Sequence, residues 1–143
     1  MKIYAAALLL AFSSPSFAAE LLVHTASVHT VKAFNFTGED QKINNLNYGI
    51  GYRSDEGYSA GYYYNSYNRH TVYITKEFMY NDHVGLVLGA ATGYKEATGL
   101  PVVPVAAALF KASLTDTVGV SILAMPKFKQ LAGVMHLVVS YKF

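Results

Sequence analysis

The residues of this chain best suited to chemistry are five histidines, His24, His29, His70, His83 and His136, and the polar run Asn65-Ser66-Tyr67-Asn68-Arg69-His70. A serine hydroxyl becomes a nucleophile when a base lies within hydrogen-bond reach, and histidine is the commonest such base. An Asn-Ser pair ahead of a turn is equally ordinary turn chemistry. The stretch GYYYNSYNRH over 61–70 therefore reads as a strand followed either by a loop or by the rim of a site. Of the four histidines His24, His70, His83 and His136, none pairs with another at i, i+2 or i, i+4 on one element beside a carboxylate, so no metal site and no cofactor are expected. Cysteine is absent. That excludes a thiol nucleophile, a thiolate metal site and a disulfide scaffold, and leaves stability to packing.

The elements that must position these residues are strands. Residues 1–18 read as a cleaved signal peptide: Lys2 supplies a charge, Ile3 to Phe12 are mostly apolar, and Ser16-Phe17-Ala18 offers small residues where a signal peptidase cuts. The apolar run is too short to span a membrane as a helix, which takes about 20 residues. Residues 19–143 are read as one domain, with ten basic residues against nine acidic ones. So even a balance gives no electrostatic case for nucleic acid. Twelve tyrosines and no tryptophan suggest a carbohydrate-binding β domain or a membrane barrel with aromatic girdles.

Period-two alternation recurs along this domain. Leu46, Tyr48, Ile50 and Tyr52 alternate with Asn47, Gly49, Gly51 and Arg53; Val84, Leu86, Leu88 and Ala90 alternate with Gly85, Val87, Gly89 and Ala91; Val118, Val120 and Ile122 alternate with Gly119, Ser121 and Leu123. Bulk on one face and small residues on the other suit a narrow closed barrel with its bulk toward lipid. Turn residues divide the domain into eight runs, 21–36, 45–54, 58–66, 70–80, 83–95, 101–112, 117–126 and 134–143. The expectation is an all-β, eight-stranded antiparallel transmembrane β-barrel. A soluble barrel would place its apolar face inward instead. Strand six is apolar on both faces, and alternation turns Leu123 and Met125 inward, so part of the lumen is dry: a packed core or a place for an acyl chain. Pro101, Pro104 and Pro126 each remove an N–H from a ladder that should have no free edge. They read either as strand ends at the interface or as a lateral notch.

Several ordered segments carry a family resemblance: Leu100-Pro101-Val102-Val103-Pro104 before an Ala-rich strand, a strand closing on Met125-Pro126, the run His83-Val84-Gly85-Leu86-Val87-Leu88-Gly89, and a last strand ending on Phe143. Together they resemble the lipid A palmitoyltransferase family, PagP, eight-stranded outer-membrane barrels that move a palmitoyl chain from a phospholipid to lipid A. The resemblance implies a site built from His29, Asn65 and Ser66, with His29 as general base and Ser66 as the hydroxyl it activates or orients. It also implies lateral lipid access at Pro101, Pro104 and Pro126. Asn65 stands where the family has Asp, and an amide cannot supply the charge that stabilises an imidazolium. With cleavage expected after Ala18, barely two residues precede strand one, so the family's amphipathic N-terminal helix is not expected here.

Arg69 could meet a lipopolysaccharide phosphate, whereas Lys42 reads as a solvated loop charge. The implied setting is the bacterial outer membrane. The implied partners are membrane lipids, phospholipid and lipopolysaccharide, with no nucleic acid, for a monomer that transfers or hydrolyses a lipid acyl chain. The alternatives are a non-enzymatic accessory envelope barrel and a soluble secreted barrel for an apolar ligand.

Overall fold

The computed structural model describes residues 19–29, 43–127 and 133–143. The expected signal peptide over 1–18 and Lys42 lie outside the described residues. Eight antiparallel strands form one closed barrel: β1 (Glu20–His29), β2 (Leu46–Arg53), β3 (Tyr58–Tyr64), β4 (His70–Met79), β5 (Val84–Thr92), β6 (Val102–Ser113), β7 (Val118–Met125) and β8 (Val134–Lys142). A single turn of helix, α1 (Lys95–Thr98), stands between β5 and β6. Closure is made by β1 pairing with β8, from Glu20 opposite Lys142 to His29 opposite Val134.

Alternation decides which side chains enter the lumen. Asn47, Gly51 and Arg53 of β2 are covered or face inward while Leu46, Tyr48 and Ile50 stand exposed outside. β1 needs a correction of phase, because a bulge between His24 and Ala26 lets Leu22 and His24 face inward and then Ser27 as well. Three short connections, 54–57, 80–83 and 114–117, lie at the end that also holds both termini of the barrel, where the Phe143 N–H meets the Ala19 carbonyl at 3.1 Å. The 65–69 and 93–101 segments lie at the opposite end.

Two strands differ in extent from their sequence reading. β5 stops at Thr92 rather than near 95, because Gly93 takes φ +87° and the chain then enters α1. Within β3 the strand ends at Tyr64, so Asn65 to Arg69 form the connection to β4.

The barrel is inside out relative to a soluble protein. Among the described strand residues facing outward, Lys76 alone is charged, and its Nζ reaches back to the Glu56 carbonyl while lying 4.0 Å over the Tyr58 ring. Val23, Ile50, Val72, Ile74, Leu86, Leu88, Ile122 and Leu137 stand exposed around the outer wall. At the loop end Tyr48 stacks on Tyr64 with ring centres 5.7 Å apart, and Tyr62 stacks on His70. At the turn end Tyr58, Phe78, Tyr80, Tyr141 and Phe143 are exposed.

Candidate functional site: a layered lumen with a lateral seam

Inward-facing side chains build three layers. The floor, at the turn end, is ionic: Arg53 joins Glu20 and Glu77 at once, and the Lys111 ammonium meets Glu77 at 3.1 Å. Arg53 is only 4% exposed, so this network closes the lumen there. Above it His24 Nδ1 and His136 Nε2 lie 2.8 Å apart, and His24 Nε2 lies 2.8 Å from the Tyr73 hydroxyl. Tyr63 stacks on His24 with ring centres 5.0 Å apart. Gly51 and Gly61 make room for this layer, since a Cβ on either would collide with the Tyr73 hydroxyl. The third layer, near the loop end, joins Ser27, Asn47 and Ser66: the Ser27 hydroxyl donates to Asn47 Oδ1, and Ser66 Oγ lies 3.1 Å from Ser27 Oγ and 3.2 Å from Asn47 Nδ2.

A cap covers part of this end. Tyr67 packs on Ala97 and Tyr94, and the Tyr94 hydroxyl meets that of Tyr63 at 2.5 Å. Burial pushes the Tyr94 phenol well above its usual range, so it stays a protonated partner in this bond. Arg69 pairs with Glu96 of α1; that hydrogen bond and its charge raise the guanidinium further. Any lipid phosphate at Arg69 would have to displace or share Glu96.

The three residues of the expected site are placed as follows. Asn65 is fully buried and its amide is saturated: Nδ2 donates to Thr71 Oγ1 and to the Gly93 carbonyl, both at 2.9 Å, and Oδ1 accepts from the N–H groups of Tyr67 and Arg69. It organises the turn. Ser66 lines the lumen cavity together with His29, but its hydroxyl bonds Ser27 and Asn47, and no hydrogen bond joins it to His29 among the described residues. His29 donates from Nδ1 to Asn45 Oδ1 at 3.0 Å, which leaves Nε2 as its basic nitrogen. The side chain that orients His29 is thus Asn45. Sequence reasoning passed over Asn45, Ser27, Asn47 and Tyr73.

The cavity itself holds about 320 Å³ and is lopsided. Val87, Val103, Val105, Ala107, Leu109 and Leu123 form an apolar wall on β5 to β7, facing the His24, His136, Tyr63 and Tyr73 layer. Pro104, Ala106, Met125, Pro126 and Lys127 also line it, and Ala106, Met125, Pro126 and Lys127 line an outer groove as well. The cavity therefore reaches the outer wall between β6 and β7.

Backbone chemistry explains that gap. β6 pairs with β7 only from Ala108 opposite Ala124 to Ser113 opposite Gly119, although β6 stays paired with β5 up to Val102 opposite Thr92. The Lys111 N–H donates to the His83 carbonyl, so odd-numbered residues of β6 bond toward β5 and even-numbered ones toward β7. The Lys142 N–H donates to the Thr117 carbonyl, which by the same alternation aims the even-numbered residues of β7 at β6. The missing N–H of Pro104 and that of Pro126 therefore both fall in this seam, above the last pair. Pro101 precedes β6 and lies outside it.

No protein-family model matches the chain, and no curated protein matches it. Among solved structures, the solution NMR structure of the de novo designed TMB2.3 superposes with a TM-score of 0.51, covering 91% of this chain and 98% of the designed one at 17% identity. The shared property is the fold, an eight-stranded antiparallel β-barrel of transmembrane type.

Proposed function

We propose that the chain is a monomeric bacterial outer-membrane barrel that admits a lipid acyl chain from the bilayer into its lumen through the β6–β7 seam. The observation that carries this is the inverted distribution of charge. Glu20, Arg53, Glu77 and Lys111 are turned inward while the outer wall is apolar with aromatic side chains at both ends. A wall of that kind is at rest in hydrocarbon, flanked by rings at the two interfaces. Lys127 apart, the cavity is apolar where it meets the seam, and two prolines keep the seam from zipping.

The resemblance to the PagP family adds acyl transfer or hydrolysis at the outer rim. His29, with Asn45 fixing its tautomer, would be the base, Ser66 the hydroxyl in the same cavity, and Asn65 the residue that holds the turn carrying Ser66. A non-enzymatic accessory barrel is the second reading, and the saturation of Asn65 by turn contacts favours it.

The protein should fractionate with the outer membrane and show heat-modifiable migration. Cysteines at Ala106 and Pro126, in an otherwise cysteine-free chain, should crosslink across the seam and block uptake of a spin-labelled phospholipid chain. Recovery as a soluble periplasmic monomer, or undiminished uptake after crosslinking, would remove the reading. Mass spectrometry of host lipid A, with wild type, His29→Ala and Ser66→Ala, separates the enzyme from the accessory barrel.

A further inference from the structure

The His24–His136–Tyr73 layer is a group of ionisable side chains in the lumen that neither the rim chemistry nor the ionic floor uses. Its hydrogen bonds form a chain, and the chain has a direction. If the Tyr73 hydroxyl donates to His24 Nε2, then His24 Nδ1 carries the proton and donates to His136 Nε2. His136 in turn must carry its proton on Nδ1. In the reverse sense His136 Nε2 donates to His24, His24 donates to the Tyr73 oxygen, and the Tyr73 O–H has no acceptor among the described residues. Either sense leaves one hydrogen without a partner among the described residues, the Tyr73 O–H in the reverse sense and the His136 Nδ1–H in the first, at about 1–3 kcal/mol if nothing accepts it. The Tyr73 hydroxyl packs against Gly51 and Gly61, whereas His136 lines the cavity beside the seam, so an acceptor held in the cavity favours the first sense.

In that sense the end of the chain is an N–H donor, His136 Nδ1, which has no partner among the described residues, and its ring lines the cavity. His136 stands directly opposite Leu123 on β7 and so one residue below the level of Ala124, where the β6–β7 ladder ends. A chain that enters the seam with its tail against Val87, Val105 and Leu109 passes this donor. We infer that His136 Nδ1–H is a recognition site for the carbonyl oxygen of a fatty acyl group held in the lumen, with His24 and Tyr73 as positioning residues that fix its tautomer. An apolar wall facing an oriented donor suits a ligand with an apolar body and an acceptor; the Ser121 hydroxyl, which has no hydrogen-bond partner among the described residues, and Lys127 line the same cavity.

This inference rests on acyl-chain entry through the seam, and the experiment keeps the two apart. The full-length protein, folded in micelles, is offered three probes: a diester phospholipid, its diether analogue, which has the same chains without carbonyls, and a free fatty acid. Spin labels on the chains report lumen occupancy, and the stretching frequency of a ¹³C-labelled acyl carbonyl reports the hydrogen bond.

Wild type should bind the diester about tenfold more tightly than the diether, the worth of one hydrogen bond, with a lowered carbonyl frequency. His136→Phe should erase both differences while still admitting the diether. Tyr73→Phe should leave occupancy intact and shrink the frequency shift, and ¹⁵N NMR should show His136 protonated on Nδ1 in wild type and a tautomer mixture in this variant. A shift with free fatty acid but not with diester would support the donor and identify the free acid as its ligand.

Equal occupancy by diester and diether in wild type with no carbonyl shift from the diester or the free acid, or His136 protonated on Nε2, would overturn the inference and leave seam entry standing. If no probe enters the lumen, seam entry fails and the inference falls with it.

Discussion

At the scale of single residues the lumen is arranged around Tyr73, whose ring occupies space that Gly51 and Gly61 leave free. Gly51→Ala should cost about 1–3 kcal/mol by overpacking, because its new Cβ meets the hydroxyl oxygen. In a Tyr73→Phe background part of that cost should vanish, since the remaining neighbours are the Ala60 carbonyl oxygen at 3.1 Å, a tight approach, and Cζ at 3.4 Å. Urea unfolding of the four proteins in micelles gives the coupling; simple additivity would mean that the ring does not sit where described.

Asn65 yields a second prediction. Its Nδ2 donates to the Gly93 carbonyl, so Asn65→Asp would set a carboxylate against a carbonyl oxygen and cost about 1–3 kcal/mol. Faster proteolysis of the 65–69 segment than in wild type would register it; unchanged cleavage would deny the amide its turn role. At this scale the sequence was least legible. His24 and His136 are 112 residues apart and meet only because β1 closes on β8. No spacing rule along the chain reports such a pair, and the β1 bulge shifts the parity that would have placed Ser27.

Among the elements, β6 keeps its pairing with β5 up to Val102 while its ladder to β7 ends at Ala108. Backbone donors decide this, so restoring them should close it. Pro104→Ala with Pro126→Ala should extend pairing beyond Ala108 opposite Ala124, slow amide exchange at Ala106, and reduce lipid-chain uptake several-fold without loss of heat-modifiability. Uptake equal to wild type in a variant with protected amides would separate the prolines from access.

The strands themselves were legible because inward and outward sets alternate with period two, as in Leu46 to Arg53 and Val118 to Met125. The end of β5 was not. Residues 93–95 continue a run without an obvious breaker beyond one glycine, and α1 owes its place to the packing of Ala97 against Tyr67 rather than to a local helical pattern. The direction in which each proline's missing N–H points was also hidden, since it depends on which partner each residue faces.

For the whole molecule, an apolar exterior moves the burden of specificity into the lumen, where the ionic floor lies at the end that carries both termini. Arg53 is shared by Glu20 and Glu77, and Glu77 by Arg53 and Lys111, so each charge has an opposite neighbour and the four sum to zero. Removing one member strands others: Arg53→Met leaves two carboxylates for a single ammonium, and breaking a buried pair in this way costs about 3–5 kcal/mol. Replacing the whole set by apolar side chains of similar volume strands nothing, and such replacements are often neutral or stabilising. Urea unfolding in micelles should therefore show Arg53→Met far less stable than wild type, with the combined Glu20→Leu, Arg53→Met, Glu77→Leu and Lys111→Leu variant recovering most of the loss. A cost below about 1 kcal/mol for Arg53→Met, the range of solvent-exposed pairs, would mean that water reaches the floor. The barrel would then be open to solvent at its turn end, and the dry cavity required for an acyl chain would have to end higher, at the layer of His24 and His136.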